Sequence, residues 1–150
     1  MKKALVVGIN NYMNVPQLYG CVNDAGEVKK VLERNADGSI NFGVKFLAGE
    51  GGNYVHKHTL RAMIQELFND DSDVVLLYFA GHGFVDSTGG YIATSDFMNQ
   101  GDGIPINDIM VWANQSPAKN KLVVLDSCHS GSAGQMAIAP NVSAICEGLT

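Results

Sequence analysis

The sequence predicts an α/β fold with three layers, in which a mostly parallel central sheet carries helices on both faces. Two apolar runs, residues 74–79 and 122–125, are typical of strands that are buried on both faces of a parallel sheet. Segments with helical periodicity lie between the predicted strands, and this alternation is characteristic of parallel α/β sheets. A length of 150 residues fits one domain, and no internal repeat is present.

The predicted strands follow from short apolar runs that end in polar or glycine-rich segments. Residues 84–85 and 91–93 flank a turn and predict a small hairpin. The other predicted strands cover residues 3–9, 44–47, 73–80 and 121–125.

Three helices are predicted. The first begins at Asn23 or Asp24, because Asp24 and Glu27 have the spacing of a capping box. The second, residues 59–68, has apolar residues at i, i+3, i+4, i+7 and i+8, and the third covers residues 106–113. The C-terminal residues 132–150 are rich in Ala and Gly, and little there indicates further strands.

Composition excludes several classes of protein. A net charge of −5 without a basic patch argues against nucleic-acid binding and is compatible with a cationic substrate or partner. No apolar run approaches the ~20 residues of a membrane span, and the N-terminal run is too short for a signal peptide. Three cysteines without metal-ligand spacing indicate neither a disulfide framework nor a zinc site, so we expect a cytoplasmic protein.

Two buried strands end in polar segments that carry the chemistry. Gly81-His82-Gly83 follows one strand, and Asp126-Ser127-Cys128 follows the other. If these strands are neighbours, His82 and Cys128 lie at the same edge of the sheet, where an imidazole could activate a thiol nucleophile. Either residue alone could belong to the core, but the pair and its glycines favour catalysis. The glycines would admit a peptide substrate.

An oxyanion hole can also be predicted at this edge. The backbone amides of Gly83 and Cys128 could both point at the oxygen of a tetrahedral intermediate.

These motifs together resemble the large catalytic subunit of the caspase–metacaspase clan of cysteine peptidases. Residues 79–83 (FAGHG) resemble its histidine motif, and residues 126–131 (DSCHSG) match the metacaspase form of its cysteine motif, as in metacaspases and prokaryotic orthocaspases. A third segment, residues 20–25 (GCVNDA), resembles one in which the Asp lines the substrate pocket. The separation of 46 residues between His82 and Cys128 is close to the roughly 50 of caspases.

The resemblance implies a cysteine endopeptidase that cleaves after Arg or Lys, in a caspase-like fold. The charges agree, since a pocket holding Asp24 and Asp126 would be costly to desolvate without a cation, and a guanidinium could pair with both. Asp24 could instead cap the first helix, and Asp126 could cap a helix after the cysteine motif. The rival functions are a catalytically silent scaffold or binding module, and a hydrolase of small amides.

Two departures from the family pattern affect these expectations. Many metacaspases have a serine in the pocket where this chain has Ala80, so one polar contact is missing. The acids Asp86, Asp96 and Asp102 are scattered, so neither a calcium requirement nor any metal or cofactor is expected.

The family fold normally continues into a smaller part that completes the sheet and the cleft. We therefore expect residues 1–150 to form one large-subunit catalytic domain that lacks this part, with a small-subunit fragment or a second chain as partner. The expected substrate is a protein with a basic residue before the cut, and neither nucleic acid nor a membrane is an expected partner.

Overall fold

The computed structural model of the protein describes residues 1–99, 102–129 and 142–148. It consists of a curled sheet flanked by helices. The side chains of Cys128, His129 and the last strand lie outside what it describes. In chain order the elements are β1 (Lys2–Ile9), α1 (Cys21–Glu33), β2 (Phe42–Gly49), α2 (Lys57–Phe68), β3 (Val74–Asp86), β4 (Gly89–Ile92), β5 (Ile104–Pro105), α3 (Ile106–Gln115), β6 (Asn120–His129) and β7 (Val142–Gly148).

Five strands form a parallel sheet in the order β2-β1-β3-β6-β7. The second half of β3 continues past β1 and pairs antiparallel with β4, which pairs antiparallel with β5. The predicted α/β class is therefore confirmed. The predicted hairpin is also present, since Phe84 pairs with Tyr91 across the turn.

Helices cover both faces of the sheet, as the apolar strands require. On one face, α1 packs through Ala25 against Val6, Tyr78 and Ala80. On the other face, α2 and α3 bury a larger cluster that includes Leu60, Ile64, Ile109, Leu77 and Phe79. No helix of the described residues is long and apolar enough to cross a membrane.

Helix α1 begins at Cys21, two or three residues earlier than predicted, and the predicted capping box is wrong. The N-terminus of the helix is capped by the Asn10 side chain, whose Oδ1 accepts hydrogen bonds from the backbone amides of Cys21 (3.0 Å) and Val22 (3.2 Å). The cap thus comes from the end of β1, which sequence spacing does not reveal. Asp24 is left in the first turn of the helix, where the helix dipole favours negative charge.

Two predicted strand ends are also wrong. Strand β3 runs on to Asp86 and β6 runs on to His129, so the residues predicted as polar tips lie within strands. Asp126 consequently caps no helix. The expectation of few strands after Gly131 is corrected by β7, which pairs in parallel with β6, whereas residues 130–141 lie outside the described residues.

The N-terminus of helix α2 is capped by the carboxylate of Asp96, which is distant in sequence. Asp96 Oδ1 accepts the amide of Lys57 at 3.1 Å and the hydroxyl of Thr94. Burial raises the pKa of Asp96, but the hydrogen bonds from Thr94 and Lys57 and the proximity of His56 outweigh it and lower the pKa below 3.8.

Close contact between β1 and α1 depends on Gly8. A Cβ there would lie 2.6 Å from the Cys21 carbonyl oxygen and 2.8 Å from the Ala25 Cβ. Only the absence of a side chain allows the helix to lie this near the strand.

Gly8→Ala should destabilise the fold by about 1–3 kcal/mol, because backbone atoms of α1 would have to move. Urea unfolding with Gly26→Ala as the matched control would measure this. Gly26 lies inside α1 with nothing within 4 Å of an added Cβ, so its replacement should stabilise by roughly 0.5–1 kcal/mol. Equal stability of the Gly8→Ala and natural proteins would contradict the tight contact.

Asp96→Asn should lower the free energy of unfolding at pH 7 by about 0.3–1 kcal/mol, since the negative charge at the N-terminus of α2 is lost while an amide oxygen remains to accept the hydrogen bonds. The folded pKa of Asp96 is depressed, so its stabilisation is present above the unfolded value and is lost as pH falls through the folded value. Urea unfolding at pH 7 and below pH ~3 would therefore show a difference that shrinks on acidification. A difference independent of pH would contradict the role of the charge.

Candidate active site

Strands β3 and β6 bring the predicted catalytic residues side by side. Their parallel register pairs Gly81 with Ser127, His82 with Cys128, and Gly83 with His129. Neighbouring strands are about 4.8 Å apart, so the backbones of His82 and Cys128 are in direct contact across the sheet. The strands are neighbours because both are apolar enough to lie in the middle of a sheet covered on both faces.

The imidazole of His82 is oriented by a backbone carbonyl. Its Nε2 lies 2.7 Å from the carbonyl oxygen of Pro16, and this oxygen can only accept. In a neutral ring Nε2 must therefore carry the proton, which leaves Nδ1 as the basic nitrogen. His82 is half-buried, so solvent or substrate can reach the ring.

The loop that supplies this carbonyl, residues 10–20, is cross-braced by hydrogen bonds. Leu18 donates its amide to the Asn10 carbonyl at 2.8 Å, and Gln17 donates its side-chain amide to the Tyr12 carbonyl at 2.9 Å. The backbone amide of Met13 donates to the backbone carbonyl oxygen of Ser95 at 2.9 Å. These bonds hold Pro16 beside His82 without any regular secondary structure.

The backbone of His82 is held by Tyr12. The Tyr12 hydroxyl accepts the His82 amide at 2.8 Å and donates to the Ala93 carbonyl at 3.1 Å, and its ring packs edge-on against the imidazole with centroids 4.6 Å apart. Tyr12 is 2% exposed. A Cβ on Gly81 would lie 2.6 Å from this hydroxyl, so the space beside Gly81 receives Tyr12.

A short aromatic stack lies beside the imidazole. The ring of Phe84, two residues farther along β3, has its centroid 6.1 Å from that of His82 at an interplanar angle of 28°, and Phe97 stacks on Phe84 at 4.6 Å. The ring of His82 therefore has both Tyr12 and Phe84 as aromatic neighbours.

Asp126 and Asp24 lie near one buried hydroxyl. Tyr78 is 6% exposed, and its hydroxyl donates to Asp126 Oδ2 at 3.1 Å. Burial raises the pKa of Tyr78 well above its usual value, and the negative charges of Asp126 and Asp24, with the Cys21 thiol, raise it further. Asp126 therefore contacts this phenol directly, whereas Asp24 influences it through its charge.

The two predicted pocket acids differ from most other acids of the described residues. Among the residues that the structure describes, no ion pair includes Asp24 or Asp126, whereas seven other acids do form one. These are Glu27, Glu33, Glu66, Asp70, Asp73, Asp96 and Asp108. Asp24 is exposed and Asp126 half-buried, and no described cation offsets their negative charge near Tyr78.

The remaining predicted residues lie in strand β3 and in the turn of the hairpin. Gly83 is buried in β3, where it pairs with Ile92 of β4 and with His129 of β6. Asp86 accepts hydrogen bonds from Thr88 in the hairpin turn. In the described part of the chain, no three His, Cys, Asp or Glu residues converge as metal ligands would.

Sequence reasoning missed three parts of this site: the Pro16 carbonyl, Tyr12 and Tyr78. Tyr78 could have been found, because it is the fourth residue before His82 and alternate strand residues share a face. The contacts of Pro16 and Tyr12 leave no pattern in the sequence, since a loop brings both to His82. The glycine at position 81 was interpreted as space for substrate, but Tyr12 takes that space.

Comparison with known proteins agrees with this architecture. A family profile described as the caspase domain matches residues 1–145. The chain is 32% identical over 147 residues to metacaspase-1 of Saccharomyces cerevisiae, covering 87% of this chain and 34% of the relative. It is also 32% identical to metacaspase-1 of Plasmodium falciparum (91% of this chain, 25% of the relative) and 28% identical to metacaspase-4 of Arabidopsis thaliana (87% and 34%).

A solved structure of a Geobacter sulfurreducens protein has the same fold, with a TM-score of 0.67 at 20% identity over 87% of this chain and 52% of that one. The chain spans a quarter to a third of the length of the metacaspases named above. Matched by the profile over nearly all of its residues, the chain belongs to the caspase-domain family of cysteine peptidases.

Proposed function

We propose that this chain is the large catalytic part of a cysteine endopeptidase that cleaves proteins after Arg or Lys. The observation that carries the proposal is the register of β3 and β6, which pairs His82 with Cys128. Membership of a cysteine peptidase family supports the same chemistry.

In this proposal Cys128 is the nucleophile and His82 the general base. The Nδ1 atom of His82 takes the thiol proton while the sulfur attacks the scissile carbonyl carbon, and the proton then goes to the leaving amine. The resulting thioester is hydrolysed by water, with His82 again accepting a proton. The bond from Nε2 to Pro16 supports this role, because it leaves Nδ1 unprotonated and would stabilise the imidazolium.

The developing oxyanion would be bound by the amides of Gly83 and Cys128. One such donor is typically worth a factor of about 10²–10³ in rate. Support comes from the register, in which Gly83 follows His82 on β3 and both lie against the end of β6.

Substrate selection is assigned to Asp24 and Asp126. Two carboxylates without a cation near a buried hydroxyl favour a positively charged side chain, whereas a substrate Asp would be repelled. A guanidinium can pair with both acids at once.

We propose a cytoplasmic enzyme that needs neither a metal nor another cofactor and that works with a small-subunit fragment or a second chain. The short span relative to the metacaspases supports a missing part. Native mass spectrometry that finds the active species to be a lone copy of this chain would contradict the partner.

Fluorogenic peptides ending in Arg, Lys or Asp would test the activity. Cleavage is expected after Arg and Lys only, and Cys128→Ala or His82→Ala should abolish it. An Arg-peptide ketone should add its mass to the natural protein and leave Cys128→Ala unlabelled. A preference for Asp would overturn the acidic pocket, and inertness toward both peptides and ketone would favour a silent scaffold.

Asp24→Asn and Asp126→Asn should each lower kcat/KM for Arg peptides by about a hundredfold, because an ion pair with substrate is lost. Asp71→Asn is the matched control, since this exposed acid precedes β3 at the opposite end of the strand and changes net charge equally. An equal effect of all three substitutions would contradict a specific pocket.

Tyr12→Phe should reduce kcat for every substrate by roughly ten- to a hundredfold, because His82 loses its backbone anchor. Amide hydrogen exchange should become faster at His82. The Ala93 amide, which donates to the His82 carbonyl at 2.9 Å, is the internal control and should stay protected. Unchanged exchange at His82 would show that Tyr12 does not position the base.

A further inference from the structure

We propose that Tyr78 is a positioning residue of the substrate pocket, whose hydroxyl fixes the Asp126 carboxylate so that the pocket prefers Arg to Lys. The inference rests on the proposed cleavage after basic residues and assigns a cause to the choice between them.

Position on the strand brings Tyr78 to the pocket. Tyr78 and Ala80 are alternate residues of β3 and share the face covered by α1, and His82 follows Ala80 by two residues on the same strand. Asp126 pairs in register with Ala80, which is 1% exposed and has no polar side-chain atom. The Asp126 carboxylate therefore finds its hydrogen-bond donor two residues away, at the Tyr78 hydroxyl, 3.1 Å from Oδ2.

The donor is neutral, and this preserves the charge of the pocket. A Lys or Arg at this place would hold Asp126 equally well and would cancel its charge. Tyr78 lies inside the apolar cluster with Ala4, Val6 and Ala25, where its phenol stays protonated. The carboxylate is therefore held in place while its negative charge remains available to a substrate.

A fixed carboxylate favours guanidinium over ammonium. The hydroxyl bond at Oδ2 restricts rotation of the carboxylate, and among the described residues none donates to Oδ1. Arg presents its N–H groups in a rigid planar fork, so its bonds weaken steeply when the acceptor turns. The ammonium of Lys has three donors on a flexible stem and tolerates a rotated acceptor.

The experiment compares kcat/KM on matched Arg and Lys peptides for the natural chain, Tyr78→Phe, Asp126→Asn and the double variant, each assayed with whatever partner the native enzyme has. Tyr78→Phe should lower kcat/KM for Arg about tenfold, mostly through KM, and for Lys no more than about threefold. In the Asp126→Asn background the same change should have little effect, because Tyr78 acts through Asp126.

Two controls separate this role from a structural one. Tyr91→Phe removes a hydroxyl that bonds Thr88 in the hairpin, and it should leave the Arg to Lys ratio unchanged. Tyr12→Phe should lower kcat for both peptides equally, since it acts on His82. Thermal unfolding of each variant checks that Tyr78→Phe is folded; if it is not, the ratio measured for Asp126→Asn alone should still fall toward equal use of Arg and Lys.

The outcomes distinguish the inference from the proposed function. Cleavage after basic residues with an unchanged ratio in Tyr78→Phe would overturn the inference and leave the function intact. Equal losses for Arg and Lys, or full additivity with Asp126→Asn, would likewise overturn it. Absence of any cleavage after basic residues in the natural chain would overturn the proposed function itself, and the inference with it.

Discussion

The parallel pairing of β3 with β6 is the constraint on which the site depends. Ten consecutive register pairs join the two strands, from Val74 with Asn120 to Gly83 with His129. A slip of one residue would move every side chain to the other face of the sheet. Such a slip is opposed by the buried apolar residues on the α2 and α3 face, including Phe79 and Leu125, which would lose their contacts with these helices.

Orientation of the base is decided by a different part of the molecule. The loop between β1 and α1 contributes the Pro16 carbonyl to the ring of His82 and the Tyr12 hydroxyl to its backbone. Strand pairing thus sets where His82 lies, and the loop sets which nitrogen is basic. This loop is held by Asn10 at its start and by the α1 N-terminus at its end, so the packing of α1 on β1 at Gly8 reaches the site indirectly.

Electrostatics distinguishes the proposed pocket acids from the other acids of the described residues. Acids elsewhere on the chain commonly face a Lys, an Arg, a His or the N-terminal amine, at modest energetic gain because they are exposed. Among the described residues, no ion pair includes Asp24 or Asp126, and the donor to Asp126 is the neutral phenol of Tyr78. In the proposed pocket, the charge of a basic substrate side chain would balance these carboxylates.

Much of the fold follows from local patterns in the sequence. Apolar runs predicted β1 and the cores of β3 and β6, and helical periodicity predicted α2 and α3 to within two residues. These features depend on interactions between near neighbours, which repeat along the chain and so leave a pattern. The pairing of a histidine motif with a cysteine motif was also visible, because each follows an apolar strand.

The tertiary structure alone decided the remainder. The start of α1 depends on Asn10, the Gly81 space is filled by Tyr12, and the Asp126 carboxylate is held by Tyr78. Each of these is a single contact between residues that are not neighbours in sequence. Many different residues could provide the partner of the polar atom in such a contact. Such contacts have no period and no fixed spacing, so they become visible only when the sheet brings the segments together.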